Sequence, residues 1–297
     1  MIKTLGNNIV NAFTGGNSVK AIYTYGEKVW PISGPEPTGY YIKWTPSTAE
    51  GQFNIDGTTH NLSTFSGLYY WSTGIINSSA FKNNEYIQSI ETNATSIGSY
   101  AFQSCSSLSQ ASLSMCKYVA NSAFQLTSLL QLSLPVCSYI GNIAFRMCSS
   151  LSQVNLPMCK FIGNSAFHLC TSLSQLSLPV CSHIGRNAFR TCSSLSQVNL
   201  PVCSYIGYNA FQSCSSLSQI NLPKCSYIGS HTFEGCRSLS IITIGYSNVC
   251  SLSDSVFYNT KITSSTGSIY VPASLVNAYK SAINWSQYSN RIFPIPS

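Results

Sequence analysis

Thirteen cysteines and four histidines are the side chains of this 297-residue chain best able to do chemistry. A thiolate attacks electrophiles, ligates zinc or oxidises to a disulfide. Zinc sites draw on closely spaced Cys or His pairs, and none occurs here, while His60, His168, His183 and His231 are scattered. No metal or cofactor is therefore expected. Nucleophilic catalysis needs one Ser or Cys singled out beside a base, yet nearly every Ser and Cys belongs to a recurring series. The carboxylates are Glu27, Glu36, Glu50, Asp56, Glu85, Glu91, Glu234 and Asp254, with Glu234 alone inside 98–240. That leaves no pair for glycoside hydrolysis, and no Gly-rich phosphate loop is present. The expectation is a protein that is not an enzyme.

The cysteines say more by spacing than by number. Cys137, Cys148, Cys159, Cys170, Cys181, Cys192, Cys203, Cys214, Cys225 and Cys236 follow one another at intervals of 11 residues, two columns in a 22-residue repeat. Phe102, Phe124, Phe145, Phe167, Phe189, Phe211 and Phe233 share the period, with one 21-residue step, and Phe81 and Phe257 extend it. Leucines at short spacing in a unit of 20 to 29 residues indicate a leucine-rich solenoid. The fold class expected is an α/β repeat solenoid with units of about 22 residues, short parallel strands, a β-rich N-terminal cap and a helical C-terminal cap.

In one unit, Leu151, Val154 and Leu156 read as a short strand ended by Pro157, and Gly163 as a turn. Ala166, Phe167 and Cys170 then sit in a compact helical or irregular turn facing the strand. The ten periodic cysteines are expected to fill the core as small buried thiols. Same-column neighbours come within disulfide range, but parallel side chains aim poorly at each other. The unit 124–145 is one residue short, with Thr127-Ser128-Leu129-Leu130 where its neighbours have Cys-Ser-Ser-Leu-Ser, and predicts a kink or bulge. The organisation read from these patterns is a small β segment at 1–33, an aromatic-rich N-terminal cap at 38–80, the solenoid at 81–262 and a cap with a helix at 263–297. That helix is expected to begin near Pro272 and Ser274 and run through about Trp285.

Composition sets outer limits. With 44% hydrophobic and 8% charged residues, the chain has a core to bury and is not intrinsically disordered. Its net charge of +7 favours an anionic partner, but there are no basic runs, so nucleic acid is not implied. Asn7, Asn8 and Asn11 interrupt what an export signal would keep apolar, and no stretch is long enough for membrane insertion.

One column stands before the inward Val or Ile of each unit: Tyr118, Tyr139, Phe161, His183, Tyr205 and Tyr227. Stacking would make it an aromatic ladder, either a packing device or a platform for a sugar or protein ligand. Arg146, Arg186 and Arg190 are read as lying next to it, within a region 98–240 that holds seven basic residues. Such a face suits an anionic surface glycan or an acidic partner. Gln110, Gln131, Gln153, Gln175, Gln197 and Gln219 are expected to form a hydrogen-bonded structural ladder.

With its I-G-x-x-A-F-x-x-C-x-S-L units and following L-P, the chain resembles the BspA-like leucine-rich-repeat family over about residues 75–262. The ending, Ile269-Tyr-Val-Pro-Ala-Ser-Leu-Val-Asn-Ala-Tyr-Lys280, is similar to the terminal cap that follows such repeats. Val19-Lys-Ala-Ile-Tyr-Thr-Tyr-Gly-Glu-Lys-Val-Trp-Pro31 resembles N-terminal segments of gut-phage virion and tail proteins. The first resemblance implies a binding or structural protein with no catalytic residue. Together they imply a virion protein of tail, fibre or capsid that contacts other virion proteins through residues 1–33 and displays the solenoid to a host-surface glycan or protein. The alternatives are a bacterial cell-surface adhesin and a purely structural virion spacer. Oligomerisation is open in each.

Overall fold

A computed structural model describes residues 39–55, 57–65, 67–71, 73–264 and 266–296, and the backbone of Asn11–Gly15, Ser18–Thr24 and Glu27–Trp30. Those three strands pair antiparallel in chain order. The attachment role expected of 1–33 depends on side chains that lie outside the described residues.

From Ile75 onward the chain winds as the expected leucine-rich-repeat solenoid. Each coil contributes two strands. One column consists of two-residue strands, from Ile75–Ile76 to Ser251–Leu252, joined in a nine-stranded parallel sheet. The other runs from Ser89–Thr92 through Gln153–Asn155 in one sheet and from Gln175–Ser177 to Ile292–Pro294 in a second. Between strands the chain makes consecutive turns. Among the described residues the one α-helix is Val276–Ser281, which resolves the helical-or-irregular alternative in favour of turns.

A coil cannot bury its own apolar side, so coils stack, at roughly 4.8 Å each. Phe81, Phe102, Phe124, Phe145, Phe167, Phe189, Phe211, Phe233 and Phe257 form one buried ring column, with successive centroids 4.9 to 5.9 Å apart. So close a stack leaves no room for a side chain where coil backbones touch. A Cβ on Gly163 would lie 2.6 Å from the carbonyl carbon of Gly141.

All thirteen cysteines are free and buried. Their thiols also serve as donors. Cys148, Cys170, Cys192, Cys214 and Cys236 donate to the Phe carbonyls of preceding coils at 3.1 to 3.2 Å. Cys137, Cys159, Cys181 and Cys225 donate to the carbonyl two residues on at 3.3 Å. From Phe145 onward each of these carbonyls also accepts the amide three residues on, as Phe145 does from Cys148 at 3.2 Å, so the thiol is a second donor that an alanine would not supply. In the short unit Thr127 takes the cysteine's place and donates to the Phe124 carbonyl at 2.9 Å. The missing residue is absorbed in the turn after it. Ser112 still pairs with Ser133, Tyr118 with Tyr139, and the ring column passes through, so the bulge expected there does not interrupt the ladders.

Both ends are covered. Tyr40–Thr45 pairs antiparallel with Ser89–Thr92 and Leu68–Trp71, and Phe53 lies flat on Phe81 at 5.2 Å. At the other end Trp285 donates to the Cys250 carbonyl at 2.6 Å, and the Tyr279 hydroxyl accepts from the Cys250 amide at 2.9 Å. The C-terminal helix is shorter than expected. Ser268–Val271 is a strand, and Ser281 bonds back to the Asn277 and Ala278 carbonyls where the helix stops. Ala282 is extended and Asn284 left-handed, with φ of 62°.

Candidate functional site

The aromatic column stacks as expected. Rings from Tyr118 to Tyr227 follow at 4.7, 5.0, 4.8, 4.4 and 4.9 Å, within 10° of parallel. Its geometry argues against a stacking platform. A sugar or aromatic ligand needs an open ring face, and in this column each inner ring has both faces covered by its neighbours. Edges remain outside: Tyr118 and Tyr205 are exposed, Tyr139, Phe161, His183 and Tyr227 half-buried. Burial raises the Tyr139 pKa, with a contribution from Tyr118, and lowers that of His183.

The arginines belong to other columns. Arg186 follows an asparagine ladder in which Asn142, Asn164 and Arg186 each donate a backbone amide to the Asn side chain one coil back, and its guanidinium covers the Tyr208 ring at 4.9 Å. Arg146 and Arg190 flank His168 in a column one residue past the buried phenylalanines. Arg146, Arg186 and Arg190 therefore occupy coil positions other than that of the aromatic ladder.

The glutamines also depart from expectation. Gln110, Gln131, Gln153, Gln175, Gln197 and Gln219 are exposed. Their side chains do not bond to one another. Neighbouring coils are held here by backbone pairs such as Gln131 with Gln153 and Gln175 with Gln197, which leaves the amide groups outward and open. Two residues along each strand stand Ser112, Ser133, Asn155, Ser177 and Asn199. Asn155 donates to Ser133, and Asn199 to Ser177, each at 3.4 Å.

These two rows line a groove of about 1340 Å³, with Leu132, Val154, Leu176 and Val198 between them. It extends from the N-terminal cap at Lys43 and Trp44 to Asn199. Its charged groups are confined to the cap end, where Lys43 lies 3.6 Å from Glu91. Glu91 also accepts from the Tyr41 hydroxyl at 2.7 Å. That hydrogen bond, with burial and the Glu91 charge, pushes the Tyr41 pKa up to about 12. From Ser109 to Asn199 the lining is amide, hydroxyl and aliphatic. Each amide offers donors and an acceptor, so the groove can read a polar, uncharged ligand. The period places these residues in rows, but only the stacked coils make the rows a groove.

A second cluster lies near the C-terminal end. His231 Nδ1 is 2.7 Å from Glu234 Oε2, and its Nε2 is 3.9 Å from Asp254. Ser230 donates to Asp254, a bond that holds the Asp254 carboxyl below its usual range. The serine is thus engaged by a carboxylate and not by an imidazole that could take its proton. Among the described residues no group of three or more His, Cys, Asp or Glu is arranged to hold a metal, and no helix is long and apolar enough to cross a membrane.

No curated protein matches the sequence. Among solved structures, the pneumococcal vaccine antigen PcpA is 20% identical, with 75% of this chain and 71% of that chain covered and a TM-score of 0.42. A leucine-rich-repeat protein of T. pallidum is 27% identical over 58% of this chain and 81% of that one, with a TM-score of 0.45. One from Bacteroides ovatus is 16% identical over 99% and 100%, with a TM-score of 0.35. The family model for the BspA type leucine-rich-repeat region matches residues 74–180 and 160–289, in six copies, over the same coils that carry the groove. The chain belongs to the BspA-type leucine-rich-repeat family.

Proposed function

We propose that this is a non-enzymatic binding protein of the surface-adhesion kind, which holds an uncharged, hydroxyl-rich glycan in the groove over Ser109 to Asn199. The observation that carries this is the row of exposed glutamine amides, open at every coil and set on a stack whose interior is close-packed. A preformed surface loses little freedom on binding. The half-buried Val154 and Val198 suit the C–H faces of sugar rings, and repetition every 4.8 Å or so suits a ligand that is itself a repeating chain.

The adhesin reading is preferred to the virion reading. Family membership and the groove support it, whereas a phage role rests on the short Val19–Pro31 resemblance alone. Attachment to virion proteins through residues 1–33 and a cell-surface location are proposals of the same standing, and neither changes what the groove can bind. The test is a glycan array probed with the full chain, with neutral, sialylated and sulfated members. Retention of neutral glycans, undiminished by salt, is the expected result. Binding confined to the acidic members would refute an uncharged groove as the site.

A further inference from the structure

Each coil carries two backbone positions with positive φ, and the second of them follows the arginine column. In six coils it holds a polar residue or glycine: Asn83, Ser104, Thr191, Ser213, Gly235 and Asn259. Three successive coils differ. Leu126, Met147 and Leu169 adopt φ of 61°, 63° and 64°, and Leu126 and Met147 are each 39% exposed. Ile143, four residues before Met147, is left-handed as well, with φ of 62°. Left-handed backbone is unfavourable for bulky and β-branched side chains, and here the apolar groups gain no full burial in return. Packing gives no reason for them.

The same coils hold the cationic column. Backbone amides of Leu126, Met147 and Leu169 donate to the carbonyls of Arg146, His168 and Arg190 at 3.0, 2.8 and 3.0 Å, so apolar and basic residues alternate in register. No hydrogen bond or ion pair engages either guanidinium among the described residues. Flanking coils carry neutral Gln125 and Gln212, and Gln212 bonds to Glu234, the first carboxylate reached. His168 has its pKa lowered by burial, then by Arg146 and Arg190, as in a patch with no counter-charge. Strained apolar residues beside unpaired cations are a combination that stability alone does not explain.

We infer that Leu126, Ile143, Met147 and Leu169, with Arg146, His168 and Arg190, form a docking surface for an acidic peptide segment of a protein partner, its apolar side chains on the first set and its carboxylates on the second. Charge complementarity selects this occupant, since the patch offers two free guanidiniums and no carboxylate. The surface shares no residue with the groove, so it stands independently of the glycan reading.

The test uses the full chain and fluorescent 12-residue peptides of four compositions, Glu/Leu, Glu/Ser, Lys/Leu and Ser/Leu, with phosphatidylglycerol vesicles alongside. Binding of Glu/Leu peptides at least tenfold tighter than any other class is expected. Leu126→Asn/Met147→Asn/Leu169→Asn should lose that binding by tenfold or more while its Tm stays level or rises, because Asn83 and Asn259 already occupy the equivalent position. Arg146→Gln/Arg190→Gln, which copies Gln125 and Gln212, should lose binding too and decides the matter if the asparagine variant misfolds. Equal binding of Glu/Ser peptides, binding of vesicles without peptides, no binding by any peptide class, or undiminished binding by either variant overturns the proposal.

Discussion

Phe167→Ala should show which of the two aromatic columns holds the solenoid together. Phe167 is fully buried, with Phe145 at 5.2 Å and Phe189 at 5.3 Å on its two faces. Truncating a buried phenylalanine to alanine costs about 3–5 kcal/mol. Loss of two ring pairs at ~0.5–1.5 kcal/mol each beyond area places this position at the upper end, about 4–5 kcal/mol. Phe161 also stacks between two rings, at 5.0 and 4.8 Å, but is half-buried. Phe161→Ala should therefore cost about 1–2 kcal/mol, the ring pairs with little cavity term. Urea unfolding followed by circular dichroism and by tryptophan fluorescence measures both. Coincident transitions license the comparison, since a repeat array can lose cooperativity. The reasoning is refuted if Phe161→Ala costs as much as Phe167→Ala, because the exposed ladder would then be the principal structural element.

Other consequences follow from the thiols and the cap. Burial pushes Cys105 and Cys192 up to about 12 and Cys148 and Cys181 up to about 11. A thiol with raised folded-state pKa contributes its full stability below the unfolded value near 8.5–9 and loses it as pH rises toward the folded value. Stability should thus be level up to about pH 8 and fall steeply between about 9 and 12, by up to ~1.4 kcal/mol per pH unit for each such thiol; a flat alkaline profile in pH-jump denaturation would contradict this. Cys170→Ala should cost about 0.5–1.5 kcal/mol by denaturant midpoint, because it removes the thiol's 3.1 Å bond to the Phe145 carbonyl, which keeps the Cys148 amide at 3.2 Å. Tyr279→Phe removes the hydroxyl that accepts from Cys250 and should cost ~1–2 kcal/mol, read most directly as faster amide exchange at Cys250.

What the sequence made legible and what it hid have separate physical causes. Phe167 and Cys170 recur because every coil meets the same interior, so their burial could be read from period alone. The left-handed φ of Leu126 and Met147 could not, since those residue types disfavour it and no turn signature marks them. The arginines illustrate a second limit. Arg186 and Arg190 lie in one coil but in different columns, and the residue stacked beside Arg190 is His168, 22 residues back. The glutamines illustrate a third. Their outward direction follows from strand alternation, whereas their freedom from one another depends on side-chain geometry that spacing does not specify. The C-terminal helix stops short of Trp285 because Ser281 bonds back to the Asn277 and Ala278 carbonyls and Asn284 is left-handed, features that a periodic pattern does not show.

The groove itself is tested most directly by calorimetric titration of a neutral oligosaccharide retained on the array into the wild-type chain and into Gln131→Ala/Gln153→Ala/Gln175→Ala, at 50 and 500 mM salt. Each amide contributes about 0.5–1.5 kcal/mol through its hydrogen bonds. Removing three should weaken binding by at least about tenfold with no change in thermal stability, and salt should leave the wild-type affinity unchanged. Equal affinity for both proteins, or affinity that collapses with salt, would contradict a ligand site built from these glutamines.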